Sequence, residues 1–177
     1  STTVARKVAA LKSFFHYLKI EGLMNDNPAE TLGSPKVSKY LPKALTIEEV
    51  DRLLAEARCG ATPKGKRDYA LLDMLYATGM RITELINLNL SDVNLAETTI
   101  RCRGKGDKER MVLFHAEAAA ALEVYLKESR PQFLKDPTQS ALFLNHRGER
   151  LTRQGLWLII KEYARQAGIA AEVTPHT

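Results

Sequence analysis

Three segments of this 177-residue sequence carry residue types suited to phosphodiester chemistry. They are Ala77-Thr78-Gly79-Met80-Arg81-Ile82-Thr83-Glu84-Leu85, then Arg103-Gly104-Lys105-Gly106-Asp107-Lys108-Glu109-Arg110, and the closing Thr174-Pro175-His176-Thr177. A guanidinium stays protonated and offers a planar fork of donors, which fits Arg81 for bidentate contact with a phosphate. An ammonium is a compact proton donor whose pKa responds to its surroundings, so Lys105 on a glycine-flanked tip can serve a leaving oxygen. With the late His176, these groups form a set able to handle a phosphodiester without a metal. A second arginine and a nucleophile would complete such a site, and the sequence reads as one cut off before them.

Each residue also has a plainer alternative. An isolated R-x-x-E is commonly a surface ion pair at helical i,i+3 spacing. Against it stands the buried-looking helix ended by Gly79, two positions before Arg81, which would pin the guanidinium at a helix start facing a cavity, with Glu84 orienting it. A hairpin-tip lysine is often merely solvated. Here Arg103, Lys105, Lys108 and Arg110 outnumber Asp107 and Glu109, so the tip can enter an anionic groove. His176 alone carries little, and His16, His115 and His146 read as structural or surface residues.

These groups need elements to hold them. Val4, Val8, Leu11, Phe15 and Leu18 recur at helical steps, predicting an amphipathic helix that Gly22 breaks. A short helical piece over 29–32 is expected next. Residues 33–43, with Pro35, Pro42, Lys36, Lys39 and Lys43, read as a linker and domain boundary. Thr46-Ile47-Glu48-Glu49 is a capping box flanked by Leu45 and Val50 as a hydrophobic staple, and its helix should end near Gly60. A polar loop over 63–67 leads to an apolar helix over 69–78, closed by Gly79 in a left-handed cap. A short helix begins near Arg81.

Residues 98–102 and 109–114 are strand-like and joined by a glycine-rich turn, so a hairpin is expected, with 88–90 as a third strand. Helices follow over 117–129 and 153–167, the second capped by Thr152 and stopped by Gly168. Its first turn would present Arg153 and Gln154, side chains with favoured pairings to guanine and adenine, to a DNA major groove.

Composition fits this partition. At 177 residues the chain can bury a core and carry an appendage. Its net charge of +5 permits a polyanionic partner. Cys59 and Cys102 lack ligand spacing, which argues against zinc and for a reducing compartment. No apolar run approaches membrane-span length and no signal-peptide pattern opens the chain, so a cytoplasmic protein without a membrane partner is expected.

Taken together, Leu41-Pro42-Lys43-Ala44-Leu45, residues 76–88, Gly104-Lys105-Gly106-Asp107-Lys108-Glu109-Arg110, Leu151-Thr152-Arg153-Gln154, residues 164–169 and Thr174-Pro175-His176 resemble the tyrosine recombinase family, specifically its Xer type. The resemblance spans essentially the whole chain. It implies a mainly α fold with a small three-stranded antiparallel sheet. Residues 1–35 would be the last helices of a core-binding domain, 36–43 the linker and 44–177 the catalytic domain, the two domains clamping double-stranded DNA.

It also implies roles. Arg81 would hold the scissile phosphate, Glu84 support it, Lys105 protonate the departing 5′ oxygen, and His176 open an H-x-x-R motif. Arg153, Gln154, Arg103, Lys108, Arg6, Lys7 and Lys12 would contact DNA, the last three through phosphates. The reaction would pass through a 3′-phosphotyrosyl bond, with no metal or other cofactor, in a tetramer of recombinase protomers resolving chromosome dimers.

The H-x-x-R arginine and the nucleophilic tyrosine would lie beyond Thr177, and further core-binding helices before Ser1. The chain is therefore expected to be an inactive piece of a recombinase, with the apolar stripe of its first helix uncovered. A non-catalytic DNA-binding module, or a phage, integron or transposon integrase, are the alternatives.

Overall fold

The computed structural model describes residues 2–33, 44–104 and 109–169. The chain divides into two compact units, Ser1–Pro42 and Lys43–Thr177. In the first, helix α1 runs Thr2–Ile20. Gly22, at φ 68°, ends it as a Schellman cap: the Leu23 amide donates to the Leu18 carbonyl and Gly22 to Lys19. No described side chain of α1 is buried; Val8, Phe15 and Leu18 are half-buried, whereas Val4, Leu11, Phe14 and Tyr17 are exposed. The short helix expected over 29–32 is instead a turn. The Asn27 side chain accepts the Ala29 amide at 2.9 Å, a local bond that competes with helix propagation.

The second unit opens with α2, Ile47–Arg58, capped reciprocally by Thr46 and Glu49. Helix α3 spans Pro63–Thr78, so residues 63–67 are helical rather than a polar loop. The reason is local: Thr62 accepts the Gly65 amide at 3.1 Å and Pro63, at the first helical position, needs no amide partner. This early start carries Arg67 and Asp68 into the interior, where Leu71, Leu72 and Met74 follow them.

The turn between α2 and α3 is close-packed. A Cβ on Gly65 would stand 2.6 Å from both the Cα and the carbonyl oxygen of Gly60. Since only backbone could yield, Gly65→Ala is expected to cost about 1–3 kcal/mol, visible as an earlier thermal transition. An unchanged melting temperature would show that the turn relaxes freely.

Helix α4 spans Ile82–Asn87. The sheet follows, with β1 Val93–Asn94, β2 Thr99–Arg103 and β3 Glu109–Leu113 in the order β1-β2-β3, all antiparallel. Residues 88–90 are not its third strand. Asn89 instead bridges Ala141, and a 3-10 turn over Leu90–Asp92 forms as Asp92 accepts the Asn89 amide at 2.8 Å. In the β2–β3 pair, Thr99 faces Leu113 and Arg103 faces Glu109, which turns Ile100 and Cys102 fully inward.

Helix α5, Ala116–Val124, passes into a π-helical turn over Tyr125–Ser129 and then α6, Arg130–Phe133, so the helical run continues past Ser129. Pro131 has no amide to offer an α ladder, and the widened turn accommodates it. Helix α7, Arg153–Gln166, starts at Thr152, whose hydroxyl accepts the Gly155 amide at 3.0 Å. Its buried face of Leu156, Ile159, Ile160 and Tyr163 joins one core in which α3 packs on α2 and α5, and α7 packs on α2 and α4. Each fully buried Leu, Ile or Met there contributes about 1.5–3 kcal/mol relative to exposure.

Candidate active site

Gly79 adopts the left-handed conformation, φ 58° and ψ 21°, and its amide donates to the Leu75 carbonyl at 3.0 Å. A side-chain-bearing residue is strained there, so this glycine lets the chain reverse within one residue of α3. Met80 is buried just after it, and Arg81 takes an extended conformation as the N-cap of α4. Arginine has no side-chain acceptor, so the cap is one-sided: Glu84 accepts the Arg81 backbone amide on Oε2 at 2.9 Å. The opposite end of α4 is held from afar, where Arg150 donates to the carbonyls of Ile86 at 2.9 Å and Leu88 at 2.8 Å. A helix this short has little intrinsic stability, and these two end contacts set its direction.

The Glu84 side chain is only 7% exposed, and two arginines surround its carboxylate. Arg81 reaches Oε1 with one nitrogen at 3.3 Å. Arg110, from β3, makes a fork: one nitrogen on Oε1 at 3.0 Å and the other on Oε2 at 2.9 Å. The Arg110 hydrogen bonds, foremost, hold the Glu84 carboxyl below its ordinary range, and Glu84 in turn raises the Arg110 guanidinium. Two guanidinium groups against one carboxylate leave an excess positive charge. The Arg81 side chain is 76% exposed, facing outward rather than recessed in a cavity, and among the described residues most of its donors are uncommitted. The arrangement can present a fixed cation to an approaching phosphate.

The structure brings Arg81 and Glu84 together. Arg103 closes β2. Lys105, Lys108 and His176 lie outside the described residues. Arg153 and Gln154 are exposed in the first turn of α7. Arg6 and Lys7 are exposed and Lys12 half-buried on α1, in the other unit. Among the described residues, no group of three or more His, Cys, Asp or Glu is placed to hold a metal ion, and no helix is long and apolar enough to cross a membrane.

Sequence reasoning counted Arg110 only as part of a basic tip. Strand alternation was the signal that would have found it: Arg110 shares a face with half-buried Val112 and pairs across the ladder with Cys102, a fully buried residue. Arg150 left no comparable signal, because its partners lie more than sixty positions away.

Residues 43–177 match the phage integrase family. The sequence is 50% identical over 177 residues to the tyrosine recombinase XerC of Herpetosiphon aurantiacus, covering 100% of this chain and 58% of the relative. Among solved structures, the fold is similar to XerA recombinase, with a TM-score of 0.68 and 33% identity over 99% of this chain and 59% of that one. It is also similar to the XerH site-specific recombinase bound to its palindromic difH substrate in a post-cleavage complex, with a TM-score of 0.72 and 25% identity over 93% of this chain and 50% of that one. The chain therefore spans between 50% and 59% of the length of these proteins.

Proposed function

From the premise that this chain belongs to the phage integrase family, we propose that the whole protein is a site-specific DNA recombinase of the Xer type. Residues 1–35 then close a core-binding domain, 36–43 link it and 44–177 belong to the catalytic domain. Double-stranded DNA is the substrate and further recombinase protomers the partners, in a tetrameric synapse. The cytoplasm and chromosome-dimer resolution are the setting that this type of enzyme suits.

In the proposed reaction a tyrosine oxygen attacks the scissile phosphorus and the bond to the 5′ oxygen breaks, leaving a 3′-phosphotyrosyl link. Arg81 stabilises the charge that builds on the phosphoryl oxygens. Lys105 delivers a proton to the departing 5′ oxygen, and His176 binds the phosphate or moves the tyrosine proton. Attack by the partner strand's 5′ hydroxyl reverses these steps. The covalent link conserves the bond energy, so the cycle needs no nucleotide.

The observation that carries this reading is an exposed Arg81 guanidinium anchored from beneath by a buried, doubly bonded Glu84. In the intact recombinase, Arg81→Ala is expected to slow cleavage of a nicked suicide duplex by about 10³-fold or more, the scale of losing a phosphoryl-stabilising arginine. Wild-type cleavage by that variant would sink the assignment. An intact wild-type protein that binds its duplex without ever cleaving it would instead be a DNA-binding module.

Arg153 and Gln154 read base edges in this proposal. Arg153→Ala in the intact protein should narrow the affinity ratio between target and random duplex, by about 1–3 kcal/mol of discrimination. An equal loss on both duplexes would make Arg153 a phosphate contact only.

A further inference from the structure

We propose that Arg110 is a positioning residue of this site: its fork occupies the Glu84 carboxylate, keeps Arg81 available to phosphate, and ties β3 to α4. The inference rests on the recombinase reading and adds a residue to it.

The geometry makes the case. Arg110 covers both oxygens of Glu84, at 3.0 and 2.9 Å, while Arg81 touches that carboxylate with a single guanidinium nitrogen at 3.3 Å. Bidentate pairing is the preferred contact between arginine and carboxylate. With Arg110 gone, only the Arg81 backbone amide, on Oε2 at 2.9 Å, still bonds Glu84 besides the Arg81 side chain among the described residues, and the Arg81 guanidinium is free to close on the carboxylate with its own fork. That closure would withdraw from the phosphate the donors now left open. Arg110 thus acts by competition, holding the acid so that Arg81 does not collapse onto it.

The second consequence is mechanical. Arg110 is the second residue of β3, two positions after Lys108 in the sequence. Its cross-strand partner Cys102 is completely buried, so the strand pair is fixed to the core at this level. The fork therefore spans from β3 to the start of α4, fixing Arg81 at the helix start against the sheet. Lysine in place of Arg110 would supply a charge but neither the fork nor the two-point alignment.

The test uses the intact recombinase with Arg110→Met, Arg110→Lys and the double variant Glu84→Gln with Arg110→Met. Single-turnover cleavage of a suicide duplex at saturating DNA is expected to fall about 10²-fold for both single variants, the scale of an ångström's misplacement of a catalytic group, with duplex affinity retained. The double variant should cleave no more slowly than Arg110→Met alone, because glutamine no longer draws Arg81 in. Full activity of Arg110→Lys, parallel losses of affinity and cleavage, or additive losses in the double variant would each overturn the proposal.

Glu84 titration followed by NMR in the 177-residue chain gives a reading independent of cleavage. Glu84 interacts with Arg81 at the start of its own helix, with Arg110 from β3 and with Cys102 from β2. Its titration should move upward in Arg110→Met and less so in Arg110→Lys; no movement means the fork does not hold in solution. If Arg81→Ala abolishes cleavage while Arg110→Met cleaves normally, this inference fails alone. If the wild type forms no adduct, the recombinase reading fails, and the titration still decides whether Arg110 holds Glu84.

Discussion

Offered a nicked suicide duplex bearing the site of the intact recombinase, the 177-residue chain is expected to form no covalent adduct on a denaturing gel. Covalent cleavage requires a nucleophile at the phosphate that Arg81 would hold. The tyrosines of the described residues are poorly suited to that task. Tyr125 is fully buried; its hydroxyl donates to the Leu142 carbonyl and accepts the Leu144 amide, each at 3.1 Å, and burial pushes its pKa up to about 12. Tyr163 is likewise raised to about 12, by burial and by the nearby Asp68, which its hydroxyl approaches at 3.5 Å. Tyr69 is half-buried beneath the Arg58 guanidinium. Tyr76 is exposed and its hydroxyl bonds to none of Arg81, Glu84 and Arg110; Tyr17 is exposed on α1, in the other unit. Tyr40 lies outside the described residues. An adduct mapped by peptide sequencing to any of these six tyrosines would mean that the site has been misassembled here.

The second large effect concerns stability. Asp68 is completely buried and carries more contacts than any surface carboxylate needs. Arg67 bonds its Oδ1 twice, at 2.8 and 2.6 Å, while Lys64 reaches Oδ2 at 2.8 Å. The same Arg67 also donates to the Leu144 carbonyl at 3.1 Å, tying α3 to the loop before α7. Asp68→Ala would strand the buried guanidinium without its counter-charge, at a cost of about 3–5 kcal/mol. That corresponds to a fall in melting temperature on the order of 10 °C or more. Replacing both partners, as Asp68→Ala with Arg67→Met, removes the stranded charge and should recover part of the loss. A double variant less stable than Asp68→Ala would show that Arg67 matters chiefly through Leu144 and its packing under Phe133.

What could be read locally was read well, and the reason is range. The capping box of Thr46 and Glu49, the left-handed Gly79, the Thr152 cap and the Arg81–Glu84 contact all join residues within four positions. Their geometry follows from helical spacing whatever the remainder of the fold does. Two strand-like runs with glycines between them predict, over 98–102 and 109–114, the strand pair found over 99–103 and 109–113. Misreadings arose where local signals competed. Thr62 and Pro63 are a sound helix start, yet the charged residues after them suggested a loop, since nothing local tells that Arg67 and Asp68 will pair inside the core. Asn27 and Asp92 likewise drew the chain into turns at points where apolar neighbours had suggested helix and strand.

By itself the sequence determined the mainly helical architecture with its small sheet, the placement of Arg81 at a helix start, and Glu84 as its acidic neighbour. These depend on periodicity, caps and breakers, which act over a few residues. Only the tertiary structure decided that Arg110 grips Glu84 from a strand twenty-six positions away, that Arg150 secures the far end of α4, and that Asp68 is an interior charge. Such pairings are selected by packing: burial strips water from a charge, and the partner that replaces that water is whichever donor the folded chain brings within reach.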